Sequence, residues 1–323
     1  MAKLLTFLGP TGQARLGALC VDDTQITDLG LAFEIAQGQV SPALHSMLHL
    51  MQAGPTGMGI VKDLLEQPVT ESLQPLAGAT LLSPLPVPEQ IRDFSVFEKH
   101  LLQCGKGIDH LKLMGDTKLG EKTRLPEVWY EDPLYYKANR FSVIGHEAEV
   151  RWPAYAKLLD YELEFGVFIG QSGNNIAAKD ASQYIFGYSI YNDFSARDAQ
   201  FREMPGLLGP AKGKDFDTGN AIGPWIVTPD ELPNPYNLEM VVRVNGEERG
   251  RGNSRDMQHS FERMIEHASK AEKLHIGEFF GSGTVGNGCG LETGRFLQAG
   301  DVVELEIEGI GILRNRIIGP QTH

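Results

Sequence analysis

Residues 160–170 read DYELEFGVFIG, an apolar run typical of a buried strand that nevertheless carries two glutamates near its start. Alternate side chains of a strand point to the same face, so Glu162 and Glu164 are expected side by side. Two carboxylates about 4 Å apart repel by about 4 kcal/mol at an effective dielectric of about 20, and burial adds a desolvation cost. The pair is therefore tolerated only if both groups reach water, if one keeps a proton, or if a divalent cation lies between them.

Two further carboxylates occupy comparable places in the chain. Asp193 ends the apolar stretch YSIYND, where the chain leaves its strand, and Asp93 follows a predicted strand in IRDFSVFEKH. Four acids without a neighbouring set of His or Cys residues suit a hard cation with oxygen ligands, namely Mg²⁺, Mn²⁺ or Ca²⁺. The alternative is a half-exposed strand whose two glutamates face solvent. Sequence spacing does not decide between these two interpretations.

The composition limits the partners and the location. The 323 residues are 41% hydrophobic and 22% charged, which is ordinary for a globular chain. A formal net charge of -13 predicts a surface that repels nucleic acid and anionic membranes. The isolated Cys20, Cys104 and Cys289 predict neither a zinc site of CxxC type nor a disulfide framework. Neither a signal peptide nor a membrane helix is predicted, so a reducing cytoplasm is the expected location.

A proline-rich stretch, LLSPLPVPEQ at 81–90, predicts an extended connection between two domains. We place a small N-terminal α+β domain at 1–85 and a larger domain at 86–323. In the first domain we predict strands at 3–8 and 15–21 and helices at 31–37, 43–53 and 58–66. In the second we predict one helix at 255–269 and strands at 141–145, 161–169, 185–191, 222–228, 238–244, 301–308 and 311–317. Strands and helices do not alternate regularly, which favours a strand-rich α+β fold over a doubly wound parallel sheet.

Several ordered blocks of the larger domain resemble the fumarylacetoacetate hydrolase family. Besides DYELEFGVFIG they are RDFSVFEKH (92–100), YNDFSARDAQ (191–200), GPAKGKDFDTGNAIGPWIV (209–227) and GSGTVGNG (281–288). The resemblance implies a mixed β-sandwich roll in a chain that forms a homodimer. It also implies metal-dependent hydrolysis of a carbon–carbon bond in a 1,3-diketo acid, such as fumarylacetoacetate or an acylpyruvate.

Matched residue by residue, the resemblance implies that Asp93, Glu162, Glu164 and Asp193 hold one divalent cation, with Mg²⁺ preferred. His100 follows Asp93 by seven residues, as in the enzymes that cleave fumarylacetoacetate. This spacing favours a hydrolase over the decarboxylases, hydratases and tautomerases built on the same fold.

The resemblance also implies a base and its partners. An imidazole with an ordinary pKa near 6.5 suits proton abstraction from water, and His100 is the predicted general base. Glu292 in GCGLE resembles the glutamate that orients this histidine. Glu98 is a rival, but residues two apart on a helix do not face each other. Lys214, rather than the nearby Lys212, matches the active-site lysine of the family.

The predicted substrate contacts are Gln200, Thr284, Tyr136 and Lys137. The motif GSGTVG at 281–286 formally fits the dinucleotide pattern GxGxxG, but turn-forming residues follow it instead of a helix, so we reject a nucleotide site. Its backbone amides and the Thr284 hydroxyl are expected to bind a substrate carboxylate. Met204 occupies the place of a substrate-binding tyrosine of relatives, which predicts a more apolar substrate tail.

Overall fold

The computed structural model describes residues 2–20, 22–115 and 123–320. Its strands are β1 (Lys3–Leu8), β2 (Ala14–Leu19), β3 (Gln25–Asp28), β4 (Leu73–Pro75), β5 (Ile91–Phe94), β6 (Tyr135–Ala138), β7 (Val143–Ile144), β8 (Glu149–Arg151), β9 (Leu159–Asp160), β10 (Leu163–Ile169), β11 (Ile185–Asp193), β12 (Ser195–Ala196), β13 (Asn220–Val227), β14 (Glu239–Val244), β15 (Glu247–Asn253), β16 (Phe279–Gly281), β17 (Val302–Ile307) and β18 (Gly311–Ile318). Its α-helices are α1 (Leu29–Gln37), α2 (Met47–Glu66), α3 (Glu98–His110), α4 (Glu127–Glu131), α5 (Arg197–Glu203), α6 (Ala211–Lys214) and α7 (Phe261–Ala268).

These strands form two large sheets, which confirms the predicted strand-rich α+β class. Within the described ranges the first sheet has the order β4-β3-β2-β1-β13-β11-β10-β16-β5-β6, and β7 also pairs with β13. The second has the order β15-β14-β17-β18-β8, and β9 pairs with β12 separately. Most neighbours are antiparallel, but β16 runs parallel to β5, β7 runs parallel to β13 and β18 runs parallel to β8. The mixed pairing separates this architecture from a doubly wound sheet.

Strand β10 lies in the middle of the first sheet and is buried on both faces. Phe165 and Val167 belong to the core between the two sheets, where Phe165 packs edge-on against Phe261 of α7 at 5.0 Å between ring centroids. Phe168, on the opposite face, belongs to a second core that the N-terminal helices cover. A strand that is covered on both faces reads as a continuous apolar run, which explains the sequence of residues 165–169 that follows Glu164.

The predicted elements correspond to observed ones with shifted ends. The predicted helices 43–53 and 58–66 are parts of α2, which has a non-helical backbone at Gly54 (φ 54, ψ -136), just before Pro55. The predicted helix 255–269 starts only at Phe261, because the Ser260 hydroxyl accepts a hydrogen bond from the amide of Arg263 and caps the helix there. The predicted strand 15–21 ends at Leu19, and Val21 lies outside the described residues.

The N-terminal strands join the first sheet directly. Strand β1 pairs with β13 in the register Lys3 with Val227 and Leu4 with Ile226. The division at residue 85 stays a prediction, and the sheet is continuous across it. In the part of the chain that is described, no helix is both long enough and apolar enough to cross a bilayer.

Candidate metal centre and active site

The four predicted carboxylates meet at one end of the first sheet. Asp93 lies in β5, Glu164 in β10 and Asp193 at the end of β11, while Glu162 immediately precedes β10. One carboxylate oxygen from each residue lies within 4.8 Å of the others. Glu162 is 5% exposed and Glu164 is fully buried, so the interpretation of a half-exposed strand with solvated glutamates is wrong.

A glycine on β16 makes room for this cluster. Gly281 pairs with Asp93 on one side and with Gly166 on the other. A Cβ atom at residue 281 would lie 2.6 Å from Oδ1 of Asp93 and 2.9 Å from the ring of Tyr191. Any side chain at this position would therefore press into the space that the carboxylates surround.

Hydrogen bonds orient some of the carboxylate oxygens and leave others unpaired. Glu164 accepts from the amide of Gly283 at 2.9 Å and from the hydroxyl of Thr284 at 3.2 Å. Oδ2 of Asp193 accepts from the Tyr136 hydroxyl at 2.6 Å. Oδ1 of Asp93 and Oδ1 of Asp193 are buried without a hydrogen-bond partner among the described residues. Unpaired buried carboxylate oxygens are costly, and a bound cation would satisfy them.

Two buried side chains with positive charge, Lys214 and Arg197, contact the carboxylates of this cluster. Lys214 Nζ lies 2.7 Å from Oε2 of Glu162 and also pairs with Asp193. Arg197 Nη1 lies 2.8 Å from Oε1 of Glu162, and its Nε lies 2.8 Å from Oδ2 of Asp160. Burial raises the pKa of Glu162, but Lys214, Arg197 and His100 together lower it well below its ordinary value. Glu162 is therefore ionised near neutral pH.

The other three carboxyl groups have raised pKa values. Burial raises the pKa of Asp93 and of Glu164 well above the ordinary range, and neighbouring carboxylates add to the effect. Burial also raises the pKa of Asp193, and although Lys214 opposes this, the value remains about 6. The raised pKa values favour the protonated forms of these groups unless a further positive charge is close. Oxygen ligands, two unpaired oxygens and this excess of acid fit a hard divalent cation.

The predicted histidine and its orienting glutamate are in contact. Nδ1 of His100, in α3, lies 2.8 Å from Oε1 of Glu292, in the 3₁₀ turn Gly290–Glu292. The rival residue Glu98 accepts a hydrogen bond from the hydroxyl of Tyr130 instead. Burial lowers the pKa of His100, but the neighbouring Cys289 and Glu292 raise it by more, to about 10, so the ordinary value near 6.5 assumed from the sequence does not hold. Burial also raises the pKa of the Cys289 thiol well above its ordinary value.

Most of these groups line one cleft of about 300 Å³, whereas Asp193 and Glu292 lie outside its lining. The sequence-predicted residues in its lining are Asp93, His100, Tyr136, Glu162, Glu164, Gln200, Met204, Lys214 and Thr284. Lys137 does not line it. Adjacent residues of a strand face opposite sides, and Lys137 Nζ lies 3.2 Å from Glu272 in a half-exposed position. Lys212 is exposed, so the structure brings Lys214 and not Lys212 to the cluster.

Sequence reasoning missed two buried charged residues next to the site, Asp160 and Arg197. Asp160 accepts hydrogen bonds from the amides of Gly290 and Leu291 at 2.7 and 2.9 Å, besides its ion pair with Arg197. Gln200 accepts from Arg197 at 3.0 Å. Asp160 lies in the block DYELEFG and Arg197 lies in the block FSARDAQ. The signal available in the sequence was a charged residue within each block, but nothing in the sequence indicates that these two residues form an ion pair.

Comparison with known proteins gives one family model. The model described as fumarylacetoacetate (FAA) hydrolase C-terminal matches residues 101–318. The oxaloacetate tautomerase YisK of Bacillus subtilis is 31% identical over 308 residues, which cover 93% of this chain and 95% of that protein. An uncharacterised protein of Staphylococcus haemolyticus, SH1982, is 42% identical over 160 residues, or 49% of this chain and 52% of that protein.

Solved structures with the same fold cover the whole chain. The fumarylacetoacetate hydrolase of Exiguobacterium antarcticum has a TM-score of 0.73 at 24% identity and covers 99% of this chain and 100% of that one. The maleylpyruvate hydrolase of Sphingobium sp. SYK-6, solved with manganese(II) and pyruvate, has a TM-score of 0.72 at 22% identity, with the same two coverages. At these identities the likeness establishes the fold.

Proposed function

The chain belongs to the fumarylacetoacetate hydrolase family, and we propose that it hydrolyses a carbon–carbon bond of a 1,3-diketo acid in a reaction that needs a divalent cation. The products would be a carboxylic acid and a ketone or 2-oxoacid. The observation that carries this proposal is the contact of Glu292 with His100, which lines the same cleft as Asp93, Glu162 and Glu164. A base that activates water is what hydrolysis requires beyond simpler reactions of the same substrates.

The cation would be held by Asp93, Glu162, Glu164 and Asp193, and we propose Mg²⁺ or Mn²⁺. Their buried oxygens, two of them unpaired, support this assignment. The manganese(II) in the maleylpyruvate hydrolase structure is consistent with it. When bound, the cation would act as a Lewis acid on the oxygens of the diketone, a contribution of several kcal/mol in metalloenzymes.

The side chains of the cleft would carry the proton and the charge. In its neutral form His100, oriented by Glu292, removes a proton from water, and the water oxygen attacks a carbonyl carbon of the substrate. The Lys214 ammonium and the Gln200 amide lie in the same cleft and stabilise the oxyanion that forms. The carbon–carbon bond then breaks, its electron pair passes into an enolate, and His100 returns the proton to the enolate carbon.

The structure supports the predicted substrate contacts to different degrees. The Tyr136 hydroxyl already donates to Asp193, so it orients a cation ligand as well as bordering the cleft. The hydroxyl of Thr284 donates to Glu164, and the carboxylate of a substrate would compete for it. Met204 lines the cleft and is 42% exposed, which supports an apolar substrate tail at that end.

A homodimer stays a prediction, which light scattering tests.

A second candidate function is keto–enol tautomerisation of a 2-oxo diacid. The relative that matches 93% of this chain is an oxaloacetate tautomerase. The raised pKa of His100 also favours the imidazolium form, which donates a proton to an enolate carbon. Tautomerisation uses the same cation and the same histidine but consumes no water.

One experiment separates the two functions. Acylpyruvates, fumarylpyruvate and oxaloacetate are each incubated with the enzyme and Mg²⁺ in ¹⁸O-labelled water, and the products are followed by NMR and mass spectrometry. Two fragments, with ¹⁸O in the new carboxylate, support hydrolysis. If the enzyme accelerates keto–enol exchange of oxaloacetate and produces no fragments from any diketo acid, tautomerisation replaces hydrolysis as the proposed function. Release of carbon dioxide would indicate a decarboxylase.

A further inference from the structure

A second group of potential metal ligands lies on the other side of His100. The group consists of His100, Cys104, Cys289 and Glu292, and we call it the thiol cluster. One ligand atom from each residue lies within 4.8 Å of the others. The two cysteines are 7% and 1% exposed, and the Glu292 side chain is 1% exposed. Neither thiol takes part in the chemistry proposed above.

Regular elements hold the thiol cluster in place. His100 and Cys104 are four residues apart on α3, so their side chains lie on one face of the helix. Cys289 immediately precedes the 3₁₀ turn Gly290–Glu292, and its amide donates to the Glu292 carboxylate. The backbone of Cys289 also bridges that of Glu162. The cluster is therefore attached to the same framework as the carboxylate centre.

The distances from His100 to the other three ligand atoms can be compared with those in a tetrahedral zinc site. Nδ1 of His100 lies 3.6 Å from Sγ of Cys104, 3.9 Å from Sγ of Cys289 and 2.8 Å from Oε1 of Glu292. Zinc bonds of about 2.0–2.3 Å place tetrahedral ligands about 3.3–3.8 Å apart. The two nitrogen–sulfur distances are close to this range, and the nitrogen–oxygen distance would have to lengthen by about 0.5 Å to reach it.

The ligand atoms of the two centres differ, so the two centres should prefer different metal ions. Thiolate and imidazole ligands select borderline-soft ions such as Zn²⁺, whereas carboxylate oxygens select Mg²⁺ and Mn²⁺. Two thiolates, one imidazole and one carboxylate are also the ligand types of tetrahedral zinc sites. We propose that the thiol cluster is a binding site for Zn²⁺ or another thiophilic cation, distinct from the carboxylate centre.

Binding would proceed without oxidation or reduction. The two thiols release their protons to solvent, and the cation replaces the proton shared by His100 and Glu292. The imidazole is then a ligand and no longer an oriented base. If His100 has the role assigned under the proposed function, Zn²⁺ inhibits an enzyme that Mg²⁺ activates.

Co²⁺ is the probe that tests the site directly. Reduced protein is first saturated with Mg²⁺ to fill the carboxylate centre and is then titrated with Co²⁺ under anaerobic conditions. We expect one equivalent to produce a thiolate-to-cobalt charge-transfer band and the intense visible bands of tetrahedral Co²⁺. Absence of the charge-transfer band in the wild-type protein would overturn the proposal, whatever the variants do.

Cysteine variants identify the ligands, and Cys20 provides a matched control. Cys104→Ser and Cys289→Ser should weaken Co²⁺ binding at least about tenfold and reduce the charge-transfer band. Cys20→Ser should leave both unchanged, because Cys20 lies in the N-terminal part, beside Thr27. Cys→Ala versions and circular dichroism exclude misfolding as the cause. Loss of the band in Cys20→Ser alone would place the site elsewhere and overturn the proposal.

Turnover separates this proposal from the proposed function. With Mg²⁺ saturating, Zn²⁺ should inhibit the wild-type enzyme, and Cys104→Ser should need at least about tenfold more Zn²⁺ for the same fractional inhibition. Cobalt bands with unimpaired turnover would support the site but contradict the catalytic role of His100. Zn²⁺ inhibition without any cobalt–thiolate band would contradict the thiol cluster as the site.

Discussion

Nε of Arg197 lies 2.8 Å from Oδ2 of Asp160, and both side chains are buried. The same guanidinium donates to Glu162 in the carboxylate centre, while Asp160 accepts from the two amides that begin the turn carrying Glu292. One ion pair therefore connects the carboxylate centre to the turn that carries Glu292, the residue in contact with His100.

We expect Arg197→Met to lower the free energy of unfolding by about 3–5 kcal/mol, because the buried carboxylates of Asp160 and Glu162 both lose the guanidinium that pairs with them. Urea denaturation followed by circular dichroism measures this. Arg243→Met is the matched control, since Arg243 pairs with Glu306 in a partly exposed position, and it should cost about 1 kcal/mol or less. Equal effects of the two substitutions would contradict a structural role for the buried pair.

Asp93→Asn should weaken Mn²⁺ binding by more than the about 10–100-fold typical of changes outside the ligand shell. The substitution preserves the size of the side chain but removes a carboxylate oxygen that is buried and unpaired. Calorimetric titration with Mn²⁺ gives the affinity. Glu306→Gln, which removes the same charge from the second sheet, should bind Mn²⁺ like the wild-type protein. Normal affinity in Asp93→Asn would exclude Asp93 as a ligand.

Gly281→Ala should reduce Mn²⁺ affinity although residue 281 has no ligand atom of its own. The added methyl group would lie 2.6 Å from Oδ1 of Asp93 and displace that carboxylate. Gly59→Ala, in α2, meets no heavy atom within 4 Å and serves as the control for a glycine-to-alanine change. The same titration compares them. If both variants bind Mn²⁺ equally well, the space beside Gly281 is not part of the centre.

His100→Asn should decrease turnover by about 10²–10⁴-fold, the usual contribution of a general acid–base, while Mn²⁺ affinity stays the same. Glu292→Gln should retain more activity and shift the pH profile of kcat/KM, because Glu292 acts only by orienting and charging the imidazole. Steady-state kinetics on the substrate identified by the product screen measures both. Glu98→Gln is the control, since Glu98 contacts Tyr130 and not His100. Full turnover in His100→Asn would remove the histidine from the mechanism.

Cation affinity should fall as the solution becomes more acidic. Burial raises the pKa of Asp93, Glu164 and Asp193, the last to about 6, and a cation binds their ionised forms. Without a cation the same shifts act in the opposite sense. The raised pKa values contribute stability that is fully present below about pH 4. The part due to Asp193 is lost as the pH rises through about 6, and the parts due to Asp93 and Glu164 are lost as the pH rises through their own raised pKa values.

Thermal unfolding with and without Mn²⁺ between about pH 5 and about pH 8 tests this linkage. The increase in Tm that Mn²⁺ produces should grow with pH, and proton release on binding should appear in calorimetry as a dependence on buffer ionisation enthalpy. An increase in Tm that is constant over this range would show that the carboxyl groups are already ionised in the cation-free protein.

Local patterns in the sequence were enough to place most of the strands and helices. The apolar run and the alternation of strand side chains predicted a strand at 161–169 with Glu162 and Glu164 on one face, but they did not decide whether that face is buried. Ordered blocks predicted the family, and with it the pairing of His100 with a glutamate 192 residues away. These properties depend on side-chain period and on residue order, which a linear sequence displays directly.

Other properties depended on which distant residues become neighbours when the sheet closes. Placing β16 between β5 and β10 brings Gly281 against Asp93, and the pairing of β12 with β9 brings Arg197 beside Asp160. The meeting of Cys104 with Cys289 around His100 likewise requires α3 to pack on the final turn of the site. Sequence determined the faces of the strands and the kinds of ligand, because backbone geometry is local. Only the tertiary structure decided which charges lie together and lose their water, because burial and long-range contact belong to the folded chain as a whole.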